Sequence, residues 1–296
     1  MKRWPHLLVV LVAVGASLVL SFVRLSRRVD ERDLDAAAQA LRTEYRDGDL
    51  VVVTPYYISG PRERLGDLPL LSPRQLDAAD LRGYARVQLL ELDVTGATSA
   101  FRELLSVQAQ AQPTATFGRV RLTTFVRIPS ERRRFDLGEQ VAALQVTAHY
   151  ADGLVARCDK FERDRWLCPR DSSWSYVGRE VVEIDDDPRA CVWLHPLPKG
   201  GELRVVLPDI AFVPNAHLIG GMGFAASGAK RVQAPVQVRL FAGEQELMRR
   251  EHPAGSSYTR YDVVLPAEPV PLTLMVTSEN NGAAHFCLSL STVEAL

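Results

Sequence analysis

The chain has 296 residues, and since a typical domain takes about 100–200 residues, it should hold one large domain or two smaller ones. Hydrophobic residues make up 47% and charged residues 24%, which excludes a largely disordered chain. The 35 basic and 36 acidic residues leave a formal net charge of -1, so no global field would steer the protein towards nucleic acid. We therefore expect a folded protein without a nucleic-acid partner.

The amino terminus predicts a membrane segment. A basic start is followed by residues 7–23, which carry no charge. Because about 17–25 apolar residues span a bilayer as a helix, we expect residues 1–29 to be a single transmembrane anchor. A cleaved signal peptide is the alternative, since Val14 and Ala16 fit the pattern before a cut, but the apolar run continues past them. Arginines flank the run on its far side, so charge does not set the orientation.

The four cysteines indicate the compartment. They lack the close pairs and the histidine spacing of zinc ribbons and thioredoxin-like sites. Four cysteines allow three pairings, and the sequence favours Cys158 with Cys168 and Cys191 with Cys287. Structural disulfides persist outside the cytosol, so we expect an inner-membrane protein with its soluble body in the periplasm. Four reduced, buried cysteines in a cytosolic protein are the alternative.

The chain from residue 30 to residue 112 predicts a small α/β domain. A helical period follows Glu31, and DLVVV reads as a short buried strand. Ser72 opens a capping box for a helix that would run to Arg82, and ARVQLLELD is a second strand. Strand, crossover helix and strand in this order predict a parallel pair. A further helix over roughly residues 99–110 would pack on that pair.

The chain from residue 113 to residue 296 has the period of strands. Residues 120–128 alternate apolar with polar side chains, and about ten short strands follow, separated by turn signals. No helical pattern interrupts them. We therefore predict an antiparallel β-sandwich of the jelly-roll type after the α/β domain.

Two resemblances accompany these patterns. Residues 41–93 contain LRTEYRDGDLVVVTPYY and LDAADLRGYARVQLLELD, and they resemble the soluble α/β segment after the last membrane helix of some bacterial integral-membrane, mannosyltransferase-like glycosyltransferases. That family's catalytic acidic motif lies in a loop between transmembrane helices, for which this chain has no place. The resemblance implies an association with envelope glycan chemistry and no active site. The strand-rich half resembles, at the level of fold, jelly-roll modules that bind carbohydrate.

Aromatic side chains near the cysteines are the candidate ligand site. The candidates are Trp193, His195, Trp174 and Tyr176. Strand alternation in CVWLHP puts the first two on the same face as Cys191, outside the expected sandwich core. The other two flank Cys168. If they are exposed, these rings would stack on sugars; alternatively, they cover a disulfide or fill space beneath a loop.

No compact catalytic, metal or cofactor motif occurs. Gly221 and Gly223 have a dinucleotide-like spacing but lack the flanking strand and helix, so we expect a flexible loop there. Asp185, Asp186 and Asp187 lack the spaced calcium pattern and predict a solvated turn. No H-x-x-x-H pair, nucleophile elbow or phosphate-binding loop is present. The sequence therefore predicts no metal, no cofactor and no identifiable catalytic residue.

Three functions fit these observations. The first is a membrane-anchored, extracytoplasmic binding or assembly protein that acts on envelope glycan or beside a membrane glycosyltransferase. The second is a glycan-acting hydrolase or transferase whose carboxylates come from distant strands and lie about 5–10 Å apart. The third is a structural subunit of an envelope complex, which would expose an apolar patch. The absence of a compact catalytic motif favours the first, non-enzymatic function.

Overall fold

The computed structural model describes residues 29–55, 60–68, 70–71, 78–92, 100–128, 130–170 and 175–296. Except for its last residue, the predicted anchor lies outside these ranges, and so does Trp174. Within these ranges no helix is long and apolar enough to cross a membrane. The anchor and its alternative, the cleaved signal, therefore stay predictions.

The amino-terminal part is a small sheet with helices on both faces. Its strands are β1 (Asp49–Thr54), β2 (Leu70–Leu71), β3 (Arg86–Leu92), β4 (Ala109–Ala111), β5 (Ala115–Phe117) and β6 (Val120–Arg127). Its helices are α1 (Glu31–Glu44), α2 (Gly60–Leu65), α3 (Ala100–Gln108) and the 3-10 turn Ala78–Leu81. β1 pairs in parallel with β2 and with β3, so the predicted parallel pair is confirmed.

Both faces of β1 are buried because a helix covers each. Val51 and Val53 pack in one cluster with Leu41 of α1, while Val52 packs in another with Phe101 of α3. A strand buried on both faces is a continuous apolar run, which is why DLVVV shows no alternation.

Two predictions for this region need correction or stay open. Residues 72–77 of the predicted crossover helix lie outside the described ranges, and Ala78–Leu81 is a 3-10 turn. β6, which we predicted as the first sandwich strand, pairs instead with β3 of the small sheet. Alternation reports one buried face and says nothing about the partner strand, so the sequence could not assign β6 to a sheet. The small sheet thus extends past residue 113.

The other strands form two packed antiparallel sheets. In spatial order the back sheet is β17 (Gln245–His252), β16 (Val236–Ala242), β19 (Leu272–Thr277), β14 (Glu202–Val206), β8 (Gln145–His149) and β9 (Val155–Cys158). The front sheet is β10 (Lys160–Glu162), β11 (Arg165–Leu167), β12 (Tyr176–Ile184), β13 (Asp187–Leu194), β20 (Phe286–Ala295), β15 (His217–Phe224) and β18 (Thr259–Val264), and β7 (Glu131–Asp136) pairs with β20. α4 (Ala226–Ala229) follows β15. The predicted jelly-roll-like sandwich is confirmed.

The predicted alternation of β13 and β20 is confirmed as well. Val192 and Leu288 belong to the main core between the two sheets. Cys191 and Cys287 lie outside that core, in a small cluster with Ile184. The outer face of the front sheet is therefore covered around this pair of cysteines.

Both predicted disulfides are present. Cys158 ends β9 of the back sheet and Cys168 follows β11 of the front sheet, so this bridge joins the two sheets at one edge. Cys191 and Cys287 link β13 to β20, with their Cα atoms 5.8 Å apart. No cysteine of the chain is left free.

The front sheet and the small sheet diverge from β13. On one side β13 pairs with β12 along its whole length. On the other side Arg189 pairs with Leu71 of β2, but from Val192 onwards β13 pairs with β20. Between these two contacts, Ala190 and Cys191 have no strand partner on that side within the described residues. The sheet divides there, and the division leaves a gap.

Candidate functional site

A cavity of about 310 Å³ lies where the sheet divides, and we call it the fork cavity. Small-molecule pockets occupy roughly 300–1,000 Å³, so its size suits a small ligand. Its charged and aromatic lining residues are Arg82, Arg133, Arg179, Arg189, Arg260, Asp80, Asp136, Glu139, Asp262, Tyr84, Tyr258 and Tyr261. Both the small sheet and the sandwich contribute to this lining, so the cavity exists only when both are folded.

Glycines in β15 make room for the aromatic floor of the cavity. A Cβ atom added at Gly221 would overlap the ring of Tyr258. The hydroxyl of Tyr258 lies 2.8 Å from Ser289 Oγ, and its backbone N–H donates to Asp185 at 2.6 Å. The flexible loop that we predicted for these glycines is wrong, because the segment is a buried strand. The glycines there provide space.

Arg189 is the one buried arginine in the described part of the chain, with 3% of its surface exposed. Its guanidinium carbon lies 3.9 Å from the centre of the Tyr258 ring. Asp187 Oδ2 lies 3.4 Å from Nη2 of Arg189. The Nε and Nη2 nitrogens have no hydrogen-bond acceptor among the described residues. A buried charged group with open donors is costly, so this arginine is the most unusual feature of the cavity.

The acidic run positions both Tyr258 and Arg189. Asp185 and Asp186 form the turn between β12 and β13 with φ angles of 53° and 62°, the left-handed conformation that such hairpin turns require. Asp185 binds Tyr258, and Asp187 is 1% exposed beside Arg189. The predicted solvated turn is thus correct for Asp186 and wrong for Asp187. No group of three metal-binding side chains occurs within the described residues.

Two further arginines add donors to the cavity wall. Arg133 stacks on Tyr84 with its guanidinium carbon 4.3 Å from the ring centre, and its Nη1 donates to Asp136 at 2.7 Å. Arg179 donates to the carbonyl oxygen of Asp67 at 3.3 Å, and no described carboxylate pairs with it. Stacking on a ring holds the plane of the guanidinium in one orientation, so its N–H groups are oriented before a ligand binds.

Two salt-bridged arginines connect the 3-10 turn of the small sheet to the sandwich. Arg260 of β18 donates to both carboxylate oxygens of Asp80, at 3.1 and 2.6 Å. Arg82 donates from Nε to Glu131 at 2.8 Å and also pairs with Asp262. The hydrogen bond from Arg82 lowers the pKa of Glu131, so this carboxylate is ionised at neutral pH. These contacts fix one wall of the cavity.

Glu139 differs electrostatically from the other acidic residues of the cavity. Its side chain stands at the rim, and loss of solvent around the carboxyl group raises its pKa. The neighbouring charge of Asp136 raises the pKa further. Asp136 itself accepts hydrogen bonds from Arg133 and from Ser291, at 2.7 and 2.8 Å.

The aromatic residues predicted from the sequence lie elsewhere. Trp193 stacks on Tyr176 with ring centres 5.6 Å apart and an interplanar angle of 12°. His195 and His285 complete the cluster, with ring centres 6.3 and 5.0 Å from that of Trp193. Trp193, His195 and Tyr176 are buried, and none of them lines the fork cavity. Trp174 lies outside the described ranges, so a ligand role for this group stays a prediction.

Sequence reasoning missed the fork cavity. One signal was available for Arg189, because alternation in β13 places it on the same face as Cys191 and Trp193. For Tyr258 there was none, since it precedes β18 in a segment without periodicity. Tyr258 packs on Gly221, which belongs to a different strand, and a contact between residues distant in sequence cannot be predicted from local hydrophobic periodicity.

The comparisons with known proteins find solved structures that resemble this chain, but with low sequence identities and low TM-scores. No family model and no curated protein matches the chain. A family 51 carbohydrate-binding module from Clostridium perfringens, solved with methyl-galactose, is 9% identical with a TM-score of 0.27 and covers 38% of this chain and 77% of its own. Tandem modules of the same family from a Streptococcus pneumoniae family 98 glycoside hydrolase are 13% identical with a TM-score of 0.34, covering 61% of this chain and 56% of theirs.

A third similar structure is the K3 adhesin domain of Lys-gingipain from Porphyromonas gingivalis. It is 12% identical, with a TM-score of 0.26, and covers 36% of this chain and 73% of its own. TM-scores of this size do not carry a function over to this chain. The function therefore has to come from the residues of the fork cavity.

Proposed function

We propose that this protein is a membrane-anchored, extracytoplasmic binding protein that holds a carbohydrate in the fork cavity. The fork cavity itself carries the proposal. Sugars present many hydroxyl groups, which donate and accept hydrogen bonds, around a ring with apolar C–H faces. The cavity offers planar arginine donors, carboxylate acceptors and an apolar wall that includes Leu50, Leu70 and Ile219, all held by packing before a ligand arrives.

The proposed location rests on the disulfides and on the amino-terminal sequence. Two structural disulfides suit an oxidising compartment, and residues 7–23 suit a membrane anchor. A body held at the periplasmic face of the inner membrane would meet envelope glycans during their assembly. The proposed partners are therefore the membrane, an envelope glycan and a membrane glycosyltransferase.

A glycan array tests the binding function, with the full chain in detergent and calorimetry on each positive glycan. Ile219→Trp would fill the cavity from β15, and Val181→Trp, at a side chain 42% exposed on β12, is the matched control. We expect binding to be lost in the first variant and kept in the second, with both proteins folded. Binding that survives Ile219→Trp, or an array without any positive glycan, would contradict the proposal.

Glycan hydrolysis is the second candidate, and one observation favours it. Glu139 has a raised pKa, which suits a general acid, and it lies beside Asp136, a second carboxylate that is held by hydrogen bonds. An enzyme of this type would release new reducing ends from the bound glycan, and Glu139→Gln and Asp136→Asn would each abolish that release. A glycan that binds and stays intact for hours would leave binding as the function.

A further inference from the structure

We propose that the fork cavity selects a carbohydrate that bears an anionic group, a carboxylate or a phosphate, and that Arg189 binds this group. The inference rests on the proposed carbohydrate-binding function and specifies its ligand class. It is carried by two donors of a buried guanidinium that lack an acceptor, on a residue that lines the cavity, and by the pairing of the lining aspartates Asp80, Asp136 and Asp262 with other arginines.

The open donors of Arg189 match an oxyanion. Nε and Nη2 lie on one edge of the guanidinium, and the N–H groups of that edge point in the same direction. This spacing fits two oxygens of a carboxylate or a phosphate, which accept both hydrogens side by side. Arg189 is the only arginine in the described part of the chain with two buried nitrogens that lack an acceptor.

Asp187 compensates this charge only in part. Its Oδ2 lies 3.4 Å from Nη2 of Arg189, within reach of an ion pair but without a hydrogen bond between the two groups. The hairpin turn of Asp185 and Asp186 fixes the place of Asp187 in the chain. The ring of Tyr258 holds the guanidinium from one face, so the donors are oriented in advance.

Three other lining aspartates, Asp80, Asp136 and Asp262, are paired with arginines, whereas Glu139 is exposed at the rim. Asp80 accepts two hydrogen bonds from Arg260, and Asp136 accepts one from Arg133. Arg179 joins Arg189 as a second lining arginine without a hydrogen bond to a described carboxylate. The cavity therefore has two arginines that an anionic ligand can bind.

A neutral sugar would satisfy this site less well than an acidic one. A hydroxyl oxygen can accept a hydrogen bond from Arg189, but it adds no negative charge to the partial compensation that Asp187 provides. A charge removed from water needs an opposite charge as well as hydrogen bonds. Hydrogen bonds between two charged groups are also roughly twice as strong as neutral ones. Both effects favour an anionic ligand.

Calorimetry on the full chain in detergent tests the inference with sugars that differ only at carbon 6. The probes are glucose, glucuronate and glucose 6-phosphate, the same three forms of galactose, and inorganic phosphate alone. We expect one acidic member of a set to bind at least about 10-fold more tightly than its neutral form, with a preference that weakens as salt rises. The uronate and the phosphate ester distinguish the two sources of negative charge.

Four variants complete the test. Arg189→Met should reduce the ratio of acidic to neutral affinity to about one, and Arg179→Met should reduce it partially. Because Arg189→Met leaves Asp187 buried beside an apolar side chain, the double variant Arg189→Met with Asp187→Asn serves if the single one unfolds. Arg250→Met, on an exposed arginine of β17, is the control and should change nothing.

The outcomes separate this inference from the proposed function. Equal binding of neutral and acidic sugars would overturn the inference and leave carbohydrate binding intact. Inorganic phosphate that binds as tightly as the sugar phosphates would also overturn it, since the sugar would then contribute nothing. An acidic preference that persists in Arg189→Met would remove Arg189 as its source. A protein that binds none of these probes and no glycan on the array contradicts the proposed function itself.

Discussion

Gly221 shows how a missing side chain can organise a binding site. The Tyr258 ring lies over this glycine, its hydroxyl meets Ser289, and the Arg189 guanidinium lies 3.9 Å from the ring centre. The position of the buried cation thus depends on a residue that contributes no side chain. Crowding at Gly221 should disturb ligand binding as well as packing.

We expect Gly221→Ala to lower the free energy of unfolding by about 1–3 kcal/mol, the usual cost of forcing extra volume into a packed site. The new Cβ displaces the Tyr258 ring, so the affinity for an acidic glycan should fall as well. Urea denaturation and calorimetry measure the two effects. Gly282→Ala is the control, because a Cβ there meets only the side chain of Asn280. Equal stability of the two variants would contradict the packing argument.

Buried histidines couple the stability of the sandwich to pH. His252 is 1% exposed, with its ring centre 5.0 Å from that of Phe224 and 5.8 Å from that of Phe286. Burial lowers the pKa of His252, and it lowers those of His195 and His285 in the same way. In the unfolded chain a histidine has a pKa of about 6.5, so the unfolded state takes up protons first as the pH falls.

The free energy of unfolding should therefore be constant above about pH 7 and should decrease as the pH falls from there through the lowered pKa values. Each histidine contributes a slope of at most about 1.4 kcal/mol per pH unit. His252→Gln keeps a hydrogen-bonding group for Ser256, which lies 3.0 Å from Nε2, and should make the decrease shallower. Urea denaturation midpoints between pH 7.5 and about 5.5 measure this pH dependence of stability. An unchanged slope in the variant would show that His252 does not contribute to it.

At the scale of elements, sequence pattern predicted strands well where one face is buried and the other is wet. β16 and β19 alternate strictly between buried and partly exposed residues, and both were found from that period. β7 has the sequence ERRRFD and β15 has three glycines, so neither shows the expected alternation and neither was predicted. The division of the sheet at β13 could not be predicted from the sequence. The hydrophobic period of a strand shows which of its faces is buried, but it does not show which strands pair with it.

The two disulfides should differ in their contribution to stability. Cys158 and Cys168 are separated by 10 positions, and Cys191 and Cys287 by 96. Bridges that close longer loops restrict the unfolded chain more, by roughly 2–3 kcal/mol for the short loop and about 4–5 kcal/mol for the long one. We expect Cys191→Ser with Cys287→Ser to lower the unfolding free energy by more than Cys158→Ser with Cys168→Ser, as measured by urea denaturation. The reverse order would show that strain or residual structure outweighs loop length.

At the scale of the whole molecule, the small sheet and the sandwich are joined by hydrogen bonds through β13. The salt bridges of Arg82 and Arg260 join them again across the fork cavity. We therefore expect one cooperative thermal transition, with calorimetric and van't Hoff enthalpies that agree. Calorimetry of the full chain in detergent measures both. Two separable transitions, one of them insensitive to Asp80→Asn, would show that the two parts fold independently.

The compartment of the molecule decides whether the proposed ligand can reach the cavity. A carboxyl-terminal reporter that is active only outside the cytoplasm should be active, since both disulfides and a glycan ligand require the body to cross the membrane. The protein should also stay in the membrane fraction after alkaline extraction, because an uncleaved apolar helix is not extracted by alkali.

The four cysteines provide an independent test of the compartment. Without a reducing agent no thiol should react with an alkylating reagent. A silent reporter with four reactive thiols would place the body in the cytosol, where the cavity could not meet an envelope glycan. An active reporter on a protein that alkali releases from the membrane would favour the cleaved signal over the anchor.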